Sequence, residues 1–237
     1  MEQQKAITGR EAVIQGLQEL AEPKFRDFTA SLTPGAQPII GVRMPILRAL
    51  AKEIRAGNPE MFLEQCRREF QEEILLEALV RSRRKTADYS GFLRNSEDFL
   101  DAVTNWAVSD TFSLSLVIPP EYRARFFRHT GTWLGRENPW HVRCALVIML
   151  ASYVDDEHIR PILAQMETLS HNDYYVQMGQ AWLVSVCYVK FPEITGQWLA
   201  AGNVLNAPTL KMTVRKIQDS YRVPKDKKEE IKKIALS

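Results

Sequence analysis

The chain has 237 residues, 45% of them hydrophobic and 25% charged, with a formal net charge of +2. That is enough sequence to bury a core; the composition excludes long disorder and a run of roughly 20 apolar residues able to span a bilayer, and the net charge alone does not announce a polyanion partner. Cys66, Cys144 and Cys187 are widely spaced and form no CxxC pair, so reduced thiols, no signal peptide and a cytoplasmic setting are expected.

In chain order the apolar residues recur at i, i+3, i+4 and i+7 in "EAVIQGLQELA", "PILRALAKEI", "EEILLEALV", "VRCALVIMLASYV" and "TLKMTVRKI". Strand-like alternation is almost absent. The breaks fall at "TPGAQP", "AGNPE", "IPPE", "GRENP", "SHND" and "NAP", where proline, glycine and Asn, Asp or Ser supply turns and caps. An all-α chain of roughly a dozen helices follows, most of them 10 to 18 residues long. Residues 1–237 are expected to form one domain, with 1–9 flexible.

The second half repeats itself. "NPWHVRCALVIMLASYV" from Asn138 lies over "NDYYVQMGQAWLVSVCYV" from Asn172, an offset of 34. The same shift carries Gln177 to Lys211 in "NAPTLKMTVRKI" and, backwards, sets Trp140 on Trp106 in "TNWAVSD". A period of this size over 104–217 marks stacked helix pairs, so the predicted fold is a HEAT-like α-α superhelix, a solenoid with a concave groove. In this register Trp106, Trp140 and Tyr174 share one position, and Asp110, Cys144 and Met178 another. Most such positions serve packing. What departs from packing is Asp110, Arg143 and Gln177, polar groups set near the same rim as Trp106 and Trp182.

Two basic clusters stand out: "RSRRK", Arg81 to Lys85, and the stretch Lys211 to Lys233, where nine lysines and arginines face four acids. Either is open to reading as a solvated helix end or as a polyanion contact. The four histidines lie in separate segments without HxxxH or HxE spacing, and GxGxxG, GxxxxGK[ST] and GxSxG are absent, so no metal or cofactor is expected.

At these residues the chain resembles the AlkD-type DNA glycosylases, HEAT-like repeat proteins that excise alkylated bases. The resemblance runs from about Gly41 to the C-terminus. "GVRMPILRAL" is similar to the family's Gly-x-x-x-Pro segment, which implies phosphate contacts at Arg43 and Arg48; "TNWAVSD" resembles its Trp-x-x-x-Asp helix, which implies Trp106 and Asp110 as the catalytic pair. "PWHVRCA" and "YYVQMGQAWLV" resemble the blocks carrying an active-site arginine and a second tryptophan, here Arg143 and Trp182. Phe25 and Phe28 are candidates for an aromatic that relatives bring from the N-terminal region. Lys211 and Arg215 open the basic C-terminal stretch and are the candidate DNA contacts there.

The residue types suit the implied chemistry. An N3- or N7-alkylated purine is cationic and leaves as a neutral base, so charge develops on the deoxyribose as an oxocarbenium ion. Asp110 would steady it and position the attacking water, with Trp106 and Trp182 offering ring faces and Arg143 holding a phosphate. No lysine in the matched constellation can form a Schiff base, so a monofunctional glycosylase is expected. The resemblance further implies that the base stays in the duplex rather than flipping. The expected partner is double-stranded DNA carrying alkylated bases, bound by a monomer with no membrane. The rival readings are a non-catalytic helical-repeat module binding DNA or protein through its groove, and a DNA-binding relative for branched or damaged structures.

Overall fold

The computed structural model describes residues 9–202 and 204–234. The N-terminal segment expected to be flexible lies, for residues 1–8, outside the described residues. Among the described residues the chain is all helical: α1 (Arg10–Glu19), α2 (Pro23–Leu32), α3 (Met44–Ala56), α4 (Pro59–Gln65), α5 (Gln71–Arg81), α6 (Tyr89–Leu100), α7 (Trp106–Ser115), a 3-10 turn at Pro120–Tyr122, α8 (Arg123–Trp133), α9 (Pro139–Ser152), α10 (Ile159–Thr168), α11 (Tyr174–Lys190), α12 (Pro192–Ala200), α13 (Ala207–Asp219) and α14 (Lys225–Ile234). Fourteen helices rather than a dozen arise because short ones, α4 with 7 residues and α12 with 9, are cut out by prolines in their first turns.

Local chemistry fixes the starts. The side chains of Asn58, Asp88, Asn105, Asn138, Asp173 and Asn206 each accept a backbone N–H in the first turn of the helix that follows. Such a cap stabilises a helix by about 1 kcal/mol and, as usefully, sets its first residue. From α5 onward the alternate helices begin at Gln71, Trp106, Pro139, Tyr174 and Ala207, which are 35, 33, 35 and 33 residues apart. The period of 34 therefore corresponds to one pair of helices, as in helical-repeat proteins.

Residues group into two compact units that divide between Pro119 and Pro120. In the N-terminal unit α3, α5 and α7 pack in series, with α4 against α3 and α6 against α5. Helix α5 is the centre: every residue from Gln71 to Val80 is buried, including Glu72, Glu73 and Glu77. Unpaired carboxylates could not be buried there at tolerable cost, and each has partners. Glu73 takes Arg10 at 2.6 Å and the backbone N–H groups of Arg67 and Glu69, both at 2.9 Å. Glu77 takes Arg68 through two bonds of 2.9 Å and Arg81 at 2.8 Å. Burial pushes both carboxyls up, and the guanidinium and backbone N–H bonds outweigh it and hold them below the ordinary glutamate value. The "RSRRK" cluster is thus partly internal, since Arg81 serves the buried Glu77, while Arg84 pairs with the exposed Glu60.

In the C-terminal unit α9, α11 and α13 pack in series, with α8 against α9, α10 and α12 against α11, and α14 against α13. Its central α9 is also buried throughout from His141 to Leu150, here mostly by apolar side chains. Burial pushes the Cys187 thiol up to about 12, which keeps it an inert packing group. No helix of the described chain is long and apolar enough to cross a membrane.

Candidate functional site

Helix α7 presents the site of the N-terminal unit. Asn105, buried at its N-cap, accepts from the N–H of Ala107 at 3.0 Å and of Val108 at 3.2 Å. The same amide exchanges two hydrogen bonds with the buried amide of Gln71, at 3.1 and 3.0 Å. This pair ties the first turn of α7 to the first turn of α5, and Gln71 and Asn105 are 34 residues apart, one repeat. The next residue, Trp106, is held in turn: its indole N–H donates to the Leu32 carbonyl at the end of α2, at 2.9 Å. Asp110 follows one turn later on the same face.

Both residues are half-buried and line a cleft of about 310 Å³. Phe25, Phe28 and Leu32 of α2 form one wall, and Leu75 and Leu114 continue the apolar lining. Arg48 of α3 stands at the same cleft, exposed, and takes part in no hydrogen bond or ion pair among the described residues. Helix α2 itself has no buried residue. It is held by its ends: Glu22 N–H donates to the Gly41 carbonyl at 2.9 Å, and Leu32 receives the Trp106 indole.

The segment entering α3 explains how that wall is placed. Glu72 accepts from the N–H groups of Ile40, Gly41 and Val42 at 2.9, 2.7 and 3.2 Å, so one buried carboxylate clamps three consecutive backbone donors. Gly41 has φ +101°, and a Cβ there would lie 2.8 Å from the Glu22 carbonyl oxygen and from the Arg26 Cβ. Only glycine fits that close approach. Arg43 then forms a two-pronged pair with Glu22, at 2.7 and 2.8 Å, and lies 4.6 Å over the Phe25 ring. Those bonds hold the Glu22 carboxyl below its usual range.

The other sequence candidates sit in the C-terminal unit. Arg143 of α9 is 5% exposed and donates to the Tyr175 carbonyl of α11 at 2.7 Å. Gly179 makes room for it: a Cβ there would come within 3.6 Å of the guanidinium and 3.3 Å of Leu146. Trp182 is half-buried one turn beyond Gly179, on the side of α11 that Arg143 crosses. Lys211 and Arg215 are exposed one turn apart on α13.

Of the eight candidates, then, Trp106, Asp110 and Arg48 share one cleft and Arg43 lies over Phe25, a ring that lines it. Arg143 sits in the α9–α11 contact, Trp182 lies on α11, and Lys211 and Arg215 share one face of α13. Sequence reasoning missed Glu72, Gln71 and Glu22. The 34-residue offset does set Gln71 on Asn105, a usable signal, whereas Glu22 and Glu72 meet their partners only through the fold.

A family model described as DNA alkylation repair enzyme matches residues 13–217. No curated protein matches the chain, and no solved structure does. The match covers both units and every site residue described above, so the chain belongs to the DNA alkylation repair enzyme family, whose work is the repair of alkylated DNA.

Proposed function

We propose that the protein is a monofunctional DNA glycosylase that hydrolyses the N-glycosidic bond of cationic N3- or N7-alkylated purines in duplex DNA. The observation that carries this reading is the pairing of Trp106 and Asp110 on one open face of α7, at a cleft otherwise lined by apolar and aromatic side chains. An indole pinned by a 2.9 Å hydrogen bond and a carboxylate one turn away are placed before substrate arrives. Fixed groups of this kind need no reorganisation as charge develops, and losing one typically costs about 3 kcal/mol of transition-state stabilisation.

The alkylated base carries its own positive charge, so departure as a neutral purine needs little acid catalysis. The electron deficit passes to the deoxyribose, where the Asp110 carboxylate steadies it and orients the attacking water. The ring faces of Trp106, Phe25 and Phe28 favour the same transient cation, by roughly 0.5–2 kcal/mol each. No lysine stands among the residues lining the cleft. The chemistry proposed is accordingly hydrolysis, without a Schiff base and without strand cleavage.

Arg48 and Arg43 supply phosphate contacts on the approach to the cleft. The Glu22 carboxylate that fills the Arg43 fork has the planar two-oxygen geometry a phosphate can replace. For Arg143 and Trp182 of the C-terminal unit, the roles of phosphate contact and second indole rest on the sequence resemblance alone. At the lesion itself the contacts run to sugar and backbone, and the alkylated base stays in the stack.

Incubation of the purified protein with methylated duplex DNA tests it. Free 7-methylguanine and 3-methyladenine are expected, with the strand intact until alkali opens the abasic site. Release no greater than background, with DNA still bound, would instead assign the chain to the non-catalytic binding modules.

A further inference from the structure

Helices α11 and α13 carry a second combination of ring and charge, which excision at α7 does not use. Tyr174, the first residue of α11, is 55% exposed. Its ring meets Tyr175 edge-on at 5.3 Å, and Tyr175 packs on Trp140 at 4.9 Å, so the exposed ring is buttressed from behind. Met178 and Met212 extend it as an apolar floor, and Lys211 and Arg215 stand exposed at the same cleft of about 540 Å³. The one acid lining it, Asp219, is itself exposed and only loosely paired with Arg215 at 3.9 Å.

A duplex backbone would satisfy the two cations and leave the ring and thioethers uncovered. A free apolar ligand would do the reverse. A nucleotide whose base has left the stack covers both, because its phosphates are anionic and its base offers a flat face; stacking on an aromatic side chain is independent of base identity. The repeat sharpens the point. Tyr174 and Met178 are two repeats on from Trp106 and Asp110, so the ring is kept and the carboxylate is replaced by a neutral thioether. That exchange removes the group that would attract a cation and repel a phosphate.

We propose that this cleft takes an unstacked nucleotide of the bound DNA, its base lying on Tyr174 and Met178 and its phosphates on Lys211 and Arg215. The proposal rests on the reading of those two cations as DNA contacts and not on excision. Binding of the full chain to a short labelled duplex and to the same duplex with one bulged nucleotide, neither carrying an alkylated base, tests it. The bulged duplex is expected to bind more tightly, on the order of tenfold. Tyr174→Ala should abolish that preference and leave the paired duplex unaffected, Tyr174→Phe should keep it, and Lys211→Gln with Arg215→Gln should weaken both DNAs. Equal wild-type affinity for the two duplexes, or a preference that survives Tyr174→Ala, overturns the proposal. Because no lesion is present, either outcome leaves the glycosylase reading to its own test.

Discussion

Helix α5 in the N-terminal unit and α9 in the C-terminal unit are both buried along their length, but they are filled by different chemistry. Helix α5 holds Glu72, Glu73 and Glu77 inside, each saturated by guanidinium or backbone N–H partners, whereas α9 holds chiefly aliphatic side chains with Arg143 among them. Glu77 is paired locally, by Arg68 and Arg81, but the partners of the other two come from far away in sequence: Arg10 reaches Glu73 and the segment before α3 reaches Glu72. Glu72 therefore orders the segment beside the Trp106–Asp110 cleft, a task that non-directional apolar packing performs less specifically. One repeat skeleton thus serves packing in one unit and the placement of a site in the other.

The comparison breaks most visibly at Glu77. Glu77→Gln leaves Arg68 and Arg81 without their anion, a loss of about 3 kcal/mol, the low end for a buried pair because Arg68 is partly exposed. Ile148→Val in α9 should cost about 1 kcal/mol. Urea midpoints at unchanged slope measure both; equal losses would mean that the ionic network does not hold α5.

A smaller effect, on the order of 1–3 kcal/mol, is expected from Gly41→Ala, which forces a side chain into positive φ and against the Glu22 carbonyl. Because that contact anchors α2, fluorescence of Trp106 should shift along with the midpoint. A stable variant with an unchanged Trp106 signal would show that α2 is placed by something else.

Acid separates the units by the size of the effect. Glu73 and Glu77 have carboxyls held below the ordinary value of 4.5, so their stabilisation is complete above that pH and is lost as pH falls through the depressed folded values. Asp155 of the C-terminal unit is depressed too, against its burial, by His158 and Arg123, but it is 38% exposed and contributes less. Below about pH 4.5, amide exchange should rise in α5 before α9. The reverse order would contradict the contrast drawn here.

The smallest effect expected is on salt dependence. Removing one of the cations proposed to contact phosphate, by Lys211→Gln or Arg48→Gln, should lower the slope of log affinity against log salt by about one while leaving the fold untouched.

How much of this is legible in sequence depends on the range of each interaction. Apolar period, Asn and Asp caps and first-turn prolines act within a few residues, which is why the helices, the breaks and the 34-residue repeat can be read directly. The adjacency of Trp106 and Asp110 is legible for the same reason, being an i, i+4 spacing. Helix α2 leaves almost no trace, because none of its side chains is buried. The glutamates of "EEILLEALV" read as the polar face of an amphipathic helix, since their arginines lie up to 63 residues away. Phe25 and Phe28 become cleft residues only once the Glu72 clamp and the Trp106 hydrogen bond have placed α2.

The central claim is that a carboxylate fixed beside an indole lowers the barrier to glycosidic cleavage. Single-turnover release of 7-methylguanine by Asp110→Asn, with affinity for the same methylated duplex measured alongside, tests it most directly. The account predicts a rate at least about 100-fold lower with affinity nearly unchanged; an undiminished rate would contradict it.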